Sequence, residues 1–503
     1  MSPSNFSTGD PDHLGSILFN PGGPGDSGVD FVLEFEPYFR AIIGPQYDLV
    51  GFDPRGVGET TPALSIFNSP AEAEQFYKTY PFNVNESVSS FGRFYAQAQI
   101  LGDLALNRAQ LVAESVGTAA VATDMLNIAR ALGQEKLNYW GISYGSILGA
   151  TFAAMFPDNV GRLIIDGVSD SHQWYFGETD TSSLLDTDAG LTTIYEACVA
   201  AGPSLCAVWE NSTDLVRARV DNAINAVHIA PLPLFNDTNS SAITFAVVDY
   251  SLVVQNLFQA IYMPFSDAPV AAEAIVALEQ GNGSLIYQGS IESAIDALDT
   301  CASDGQPFVA GILDTVTPIL CGDSIASKHR SFEQARADYE AMLGMSSLAT
   351  EWYPITSGTC TSWPIQAKDL FNGTFDTNTS TPILLIGNTF DPVTPIQSAR
   401  NMSAGFAGSV VLQQNSTGHT SLSGFSTCTA LAIRAYFQNG TLPAPGTVCE
   451  TDTLMFQAPN NSSGFGGVSI SARDAHVPLD LREAERVLRE STFLKKNWFR
   501  RRM

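Results

Sequence analysis

Short apolar segments alternate with segments of helical period in two separate parts of the chain. The apolar runs lie at Gly15–Asn20, 47–53, Leu137–Ile142, 162–166, 382–387 and 409–413. Strands that alternate with helices predict a parallel sheet with crossover connections, and continuous apolar runs predict strands that are covered on both faces. We therefore expect an α/β fold built on a mostly parallel sheet.

The region between these two parts has a different pattern. From residue 169 to 378 helical segments dominate, with few strand-like runs. The simplest organisation is one α/β domain that is interrupted by a large, mostly helical insertion. We expect the N-terminal part of the core at 1–168, the insertion at 169–378, the C-terminal part of the core at 379–450 and a C-terminal extension at 451–503.

The amino-acid composition and net charge argue against some classes of binding partner. The chain has 25 Lys and Arg against 52 Asp and Glu, a net charge of −27, and 45% hydrophobic residues. The apolar fraction suffices for a large core, and the negative charge argues against binding nucleic acid. No run of about 18 or more apolar residues occurs, so we expect no membrane-spanning helix.

The segment Gly141-Ile-Ser-Tyr-Gly145 matches the pattern G-x-S-x-G. It directly follows an apolar strand and opens a helix of small residues, which is the context of a nucleophile elbow. Such a turn is sharp, and glycine at 141 and 145 removes the clash between flanking side chains. Ser143 is therefore the candidate nucleophile, exposed above the carboxyl ends of the strands.

A serine nucleophile needs a general base, and that base needs an acid that orients it. Asp391 lies just after the strand-like run 383–387, and His419 lies after the run 410–414. The other five histidines do not follow a late strand. The chain order Ser143, Asp391, His419 is the order that the α/β-hydrolase fold requires.

An acyl-transfer intermediate also needs hydrogen-bond donors for its oxyanion. One expected donor is the backbone N–H of Tyr144. The other should come from the glycine-rich loop after the first strand, where we favour Gly23 and keep Gly22 as a close competitor. This chemistry requires neither a metal nor an organic cofactor.

Five segments together resemble a known family, the tripeptidyl-aminopeptidase-like (TAP-like) branch of the α/β-hydrolases, related to prolyl aminopeptidases of peptidase family S33. They are Phe19-Asn-Pro-Gly-Gly-Pro-Gly-Asp-Ser-Gly28, Phe52-Asp-Pro-Arg-Gly-Val-Gly58, Trp140-Gly-Ile-Ser-Tyr-Gly145, Gly387-Asn-Thr-Phe-Asp-Pro-Val-Thr-Pro395 and Gly418-His-Thr-Ser421. The resemblance implies a triad of Ser143, Asp391 and His419, and a cap, formed by the insertion, over the site. It implies peptide substrates with free N-termini, from which short peptides or single residues are released.

The seven cysteines fit the same resemblance. Cys198 and Cys206 are close enough to join a short loop, and Cys428 and Cys449 bracket the last predicted helix. The segments around Cys321 and Cys360 look like a third pair in this family, which would leave Cys301 unpaired. The sequence does not fix the connectivity.

An aminopeptidase must also bind the ammonium group of its substrate, which a carboxylate in the cap would do. Asp323 and Glu178 are candidates. The cap has many acids, however, and each of these two could equally be structural or solvated.

The compartment is indicated by thirteen Asn-x-Ser/Thr sequons, which favour a secreted glycoprotein. They begin at Asn5, Asn85, Asn211, Asn236, Asn239, Asn282, Asn372, Asn378, Asn401, Asn415, Asn439, Asn460 and Asn461. The N-terminus nevertheless has no basic and apolar segments of a signal peptide. In this fold the oxyanion loop follows the third strand, so we expect that two strands and an export signal are missing, and that a chain starting at Met1 stays inside the cell.

Three hypotheses follow. The leading one is a serine exopeptidase that uses Ser143, His419 and Asp391. The second is a carboxylesterase or lipase of the same fold, which needs only the triad and the oxyanion donors. The third is a non-catalytic binding protein with a hydrolase fold, a class that usually lacks a member of the triad.

Overall fold

The computed structural model describes most of the chain. The described residues are 1–7, 9–177, 180, 182–235, 245–290, 293, 295, 311–326, 328–457 and 481–490.

A seven-stranded parallel sheet forms the centre of the molecule, with strand order β2-β1-β3-β4-β7-β8-β9. Its strands are β1 Gly15–Asn20, β2 Tyr47–Gly51, β3 Leu137–Ile142, β4 Val160–Asp166, β7 Leu384–Phe390, β8 Val410–Thr417 and β9 Val448–Glu450. Two further strands among the described residues, β5 Leu232–Phe235 and β6 Phe245–Val248, form an antiparallel pair within the segment 169–378, which is called the insertion below. The predicted α/β fold with a parallel sheet is confirmed.

Helices cover both faces of this sheet. The α-helices span Gly28–Ile43, Pro70–Tyr77, Ser90–Arg108, Gln110–Ala113, Thr118–Ala131, Tyr144–Met155, Ser171–Phe176, Thr187–Ala201, Thr213–Ile229, Tyr250–Tyr262, Pro264–Glu279, Ser284–Gln288, Gly311–Asp323, Phe332–Leu343, Ala349–Trp352, Ile396–Gly405, Thr427–Asn439 and Arg482–Glu490. Successive strand residues point to opposite faces, so Ile17 and Phe19 pack in one apolar cluster while Leu18 packs in the other. Burial on both faces explains why these strands are apolar at consecutive positions.

A short break separates the helix Gln110–Ala113 from the helix Thr118–Ala131. The second helix begins where the buried Asp323 carboxylate accepts hydrogen bonds from the backbone N–H of Thr118, at 2.9 Å, and from its hydroxyl, at 2.5 Å. An anion at a helix N-terminus is favourable, so a residue about 200 positions away sets this boundary.

Three disulfides are present. Two lie in the insertion, Cys198–Cys206 and Cys321–Cys360, and the third, Cys428–Cys449, links the helix Thr427–Asn439 to β9. These are the pairs expected from the positions of the cysteines and from the family resemblance. Cys301 lies outside the described residues.

The edge strand β2 has a partner near the start of the chain. Ser2 forms an antiparallel bridge with Leu49, with both backbone hydrogen bonds at 2.8 Å.

Among the described residues, no helix combines the length and the hydropathy that crossing a lipid bilayer requires.

Candidate active site

Ser143 occupies a strained turn between β3 and the helix Tyr144–Met155. Its φ of 58° lies in a region that non-glycine residues rarely adopt, and its N–H donates to the carbonyl of Asp166 at 2.9 Å. A Cβ at Gly141 would lie 2.2 Å from the carbonyl oxygen of Gly145, and one at Gly145 would lie 2.7 Å from that of Asn20. The turn therefore requires both glycines, and it leaves Ser143 only partly buried.

Asp391 and His419 form a buried pair in the loops after β7 and β8. Nδ1 of His419 lies 3.0 Å and 3.1 Å from the two carboxylate oxygens of Asp391. These oxygens also accept the backbone N–H groups of Val393 at 3.1 Å, Thr394 at 2.8 Å and Thr420 at 2.8 Å. Four donors hold the carboxylate in place, and Nδ1–H bonded to it leaves Nε2 as the acceptor nitrogen.

The insertion contacts the histidine loop directly. The N–H of His419 donates to the carbonyl of Tyr262 at 2.8 Å, and the two rings have centroids 4.4 Å apart. A Cβ at Gly418 would lie 2.5 Å from Cδ of Pro264, and one at Gly424 would lie 2.6 Å from the ring of Phe265. The junction of the two helices Tyr250–Tyr262 and Pro264–Glu279 thus forms one wall around the imidazole.

Nε2 of His419 is buried and has no hydrogen-bond partner among the described residues, so no hydrogen bond joins it to Oγ of Ser143. Hydrogen bonds of this kind are often long in ligand-free enzymes and shorten only when substrate is bound. The topology places both side chains at one edge of the sheet, because β3, β4, β7 and β8 are neighbouring parallel strands.

The glycine-rich loop after β1 lies against the nucleophile turn. A Cβ at Gly22 would lie 2.8 Å from Cβ of Ser143, and the N–H of Gly22 donates to Oδ1 of Asn20 at 3.0 Å. In contrast, no described residue accepts a hydrogen bond from the backbone N–H of Gly23 or of Tyr144. Of the two glycines considered from the sequence, only Gly22 has an acceptor for its N–H among the described residues, and the role of Gly23 as an oxyanion donor stays a prediction.

Ser143 opens onto a cavity between the core and the insertion. The core side is formed by Gly23, Pro24, Ser143, Tyr144, Ile147, Val393 and Thr394. The insertion side is formed by Ser169, Asp170, Gln173, Trp174, Gly177, Asp180, Ser182, Ser183, Val316, Leu320, Ser324, Trp352, Thr356, Ser357 and Cys360. The walls are mostly apolar, with two carboxylates, as expected of a site for a small or extended organic ligand.

The two acids expected to bind ammonium have different outcomes. Asp323 is fully buried behind the cavity wall and accepts hydrogen bonds from both donors of Thr118 and from Nε1 of Trp174, the latter at 3.0 Å. Burial raises the pKa of this carboxyl to about 6. Asp323 is not among the described residues that line the cavity, and Glu178 lies outside the described residues, so the binding of an ammonium group by either acid stays a prediction.

Sequence reasoning missed four carboxylates around the site. Asp170 and Asp180 line the cavity, and Asp170 follows β4 at the same sheet edge, a position that could have marked it. Asp166 and Asp186 lie closer to the Asp391–His419 pair. Burial, together with the charge of Asp391, raises the pKa of each to about 6.

Comparison with known proteins agrees with this architecture. Residues 15–195 match the α/β hydrolase fold family, and residues 347–449 match the TAP-like protein family. The serine protease Hip1 of Mycobacterium tuberculosis is 25% identical over 87% of this chain and 81% of that protein. The tripeptidyl aminopeptidase of Streptomyces lividans is 24% identical over 86% of this chain and 76% of that protein, and carboxylesterase B of M. tuberculosis is 27% identical over 87% and 80%.

Proposed function

Because the chain belongs to the α/β-hydrolases with a TAP-like region and is a serine hydrolase of the peptidase type, we propose that it removes short peptides or single residues from free peptide N-termini. The observation that carries this proposal is the buried Asp391–His419 pair at the sheet edge that also bears the strained Ser143.

In the proposed reaction each of these three residues has one role. Oγ of Ser143 attacks the scissile carbonyl carbon while Nε2 of His419 takes the hydroxyl proton. The same imidazolium then protonates the leaving amine, and the N-terminal fragment remains as an ester on Ser143 until water hydrolyses it. Asp391 keeps Nδ1 protonated and stabilises the imidazolium. The N–H groups of Gly23 and Tyr144 donate to the oxyanion.

The cavity supports recognition of a free amine. Asp170 and Asp180 bring two carboxylates to its wall, and the surrounding apolar side chains strengthen their attraction for an ammonium group. Two backbone N–H groups hold one oxygen of each carboxylate: those of His172 and Gln173 for Asp170, and those of Ser182 and Ser183 for Asp180. These bonds fix the orientation of both carboxylates, and the other oxygen of Asp170 accepts from Nδ2 of Asn401 at 3.4 Å.

The test combines active-site labelling with product analysis. A fluorophosphonate should label the wild-type protein but not Ser143→Ala. Mass spectrometry of a peptide library should then show fragments lost from free N-termini and none from the same peptides after N-acetylation. Labelling of Ser143→Ala would refute the assignment of the nucleophile, and equal cleavage of free and acetylated peptides would refute the exopeptidase.

The second candidate function is a carboxylesterase, which the likeness to carboxylesterase B favours. Hydrolysis of simple aryl esters at rates well above those of all free-N-terminal peptides would support the esterase.

We also propose that the protein is secreted and glycosylated. Every sequon asparagine within the described residues is exposed, namely Asn5, Asn85, Asn211, Asn282, Asn372, Asn378, Asn401, Asn415 and Asn439. Three disulfides fit an oxidising compartment. Treatment of protein from its native source with an N-glycosidase should lower its mass by several glycans. An unchanged mass would contradict the proposal.

A further inference from the structure

Asp166 is bonded to both segments that carry the reacting side chains. It ends β4, which lies between β3 and β7 in the sheet. Its backbone carbonyl accepts the N–H of Ser143 at 2.9 Å. Its carboxylate accepts both donors of Ser421, the backbone N–H at 2.9 Å and the hydroxyl. Ser421 stands two residues after His419, so one fully buried residue connects the nucleophile turn to the histidine loop.

The residue after Asp166 brings the same two segments close together. Gly167 has a φ of 60°, and a Cβ there would lie 2.5 Å from Cγ2 of Thr420 and 3.2 Å from Oγ1 of Thr394. The hydroxyl of Ser146 contacts the carbonyl oxygens of Ser143, at 2.5 Å, and of Gly167, at 3.4 Å. The nucleophile turn and the histidine loop are therefore packed against the end of β4 without space for another side chain.

We infer that Asp166 is a positioning residue of the hydrolase: it fixes the separation of Ser143 and His419, and its negative charge favours the imidazolium form of His419. This inference rests on the proposed function, because it takes Ser143 as the nucleophile and His419 as the base.

The electrostatic surroundings of Asp166 agree with the inference. Its hydrogen bonds from Ser421 and the charge of His419 oppose the effect of burial, and with a pKa of about 6 the carboxylate is ionised at pH 7 and above. Among the described residues, Asp391 and the buried phenol of Tyr38 also interact with it, and the pKa of Tyr38 is raised by burial and then by the charge of Asp166. A buried anion at this position stabilises positive charge on the imidazole when Ser143 loses its proton.

The variant Asp166→Asn removes the negative charge of the side chain but keeps its hydrogen bonds to Ser421. The amide oxygen can still accept the backbone N–H of Ser421 and the amide nitrogen can donate to its hydroxyl, so the loop stays bonded while the charge is lost. The matched control is Asp323→Asn. Asp323 is also a fully buried carboxylate with a pKa of about 6, but its hydrogen bonds go to Thr118 and Trp174 and not to the histidine loop.

The measurement is the second-order rate constant of fluorophosphonate labelling from pH 4.5 to 9, which needs no peptide substrate. In Asp166→Asn we expect the midpoint of the acidic limb to move down by about one pH unit and the plateau to fall about ten-fold. Asp323→Asn should keep the wild-type midpoint. Ser143→Ala and His419→Ala test the proposed function separately, since both should abolish labelling.

A midpoint and plateau in Asp166→Asn that equal those of the wild type would overturn the inference, as would the same shift in Asp323→Asn. If Asp166→Asn does not fold, Ser421→Ala decides, because it keeps the charge and removes one of its two donors. A plateau of the labelling rate that is lowered several-fold supports the positioning role, and an unchanged plateau refutes it.

Discussion

Replacing Gly22 by alanine should lower the labelling rate of Ser143 far more than it lowers the stability of the fold. Gly22 has a φ of 102°, and an added Cβ would lie 2.5 Å from the carbonyl oxygen of Ile142, 2.8 Å from Cβ of Ser143 and 3.1 Å from the N of Tyr144. Two of these neighbours are backbone atoms, so the turn itself must move. We expect a strain of about 1–2 kcal/mol from the positive φ and roughly 1–3 kcal/mol more from the clash.

The matched control is Gly133→Ala. Gly133 also has a positive φ, of 79°, but an added Cβ there meets nothing within 4 Å. The free energy of unfolding of Gly133→Ala should therefore fall by only about 1–2 kcal/mol, the strain from the positive φ. A displacement of the reacting hydroxyl by about 1 Å should lower the labelling rate of Gly22→Ala roughly 100-fold, whereas Gly133→Ala should label normally.

The assay pairs urea unfolding with the rate of fluorophosphonate labelling for both variants. Wild-type labelling by folded Gly22→Ala would refute the argument that this glycine is required by the approach of the loop to Ser143. Equal loss of activity in the two variants would show that strain, and not the clash, is responsible.

Two further predictions concern stability. The pKa of Asp323 is about 6 in the folded protein, above its value in an unfolded chain. The folded state therefore binds the proton more tightly, and ionisation of Asp323 lowers the free energy of unfolding as pH rises from about 4 to 6. Urea unfolding of Asp323→Asn across this range should lack that loss, a difference of up to about 1.4 kcal/mol per pH unit, and parallel profiles would contradict it. Removing the disulfide Cys321–Cys360, which spans 39 residues, should lower the free energy of unfolding by about 4 kcal/mol. Removing Cys198–Cys206, which spans 8 residues, should lower it by about 2.5 kcal/mol. Equal losses in the two double alanine variants would contradict the explanation by loop entropy.

The parts of the site that the sequence predicts are those with a local signal. Ser143, Asp391 and His419 each follow an apolar strand within a few residues, and the parallel order of those strands brings the following loops to one sheet edge. The glycines around Ser143 are likewise visible because the turn demands them. Strand-then-turn patterns thus indicate where the candidate catalytic residues lie, although they do not give the distance between Ser143 and His419.

The parts that the sequence does not predict depend on distant packing. Asp323 carries the same charge whether it lines a cavity or lies behind its wall, and only the contacts with Thr118 and Trp174 distinguish the two. Asp166 looks like the polar end of a strand until its bond to Ser421 is known. The break between the helices Gln110–Ala113 and Thr118–Ala131 has the same origin, because its cap comes from the insertion.

The contacts of Tyr262, Pro264 and Phe265 with the histidine loop have a consequence for protein engineering. A chimera that exchanges the whole insertion for one from a related hydrolase would remove the carbonyl and the ring that surround His419, along with the old specificity. Grafts that keep 262–265 from the host and replace only the cavity-facing segments would alter substrate choice while leaving the proton-transfer machinery intact.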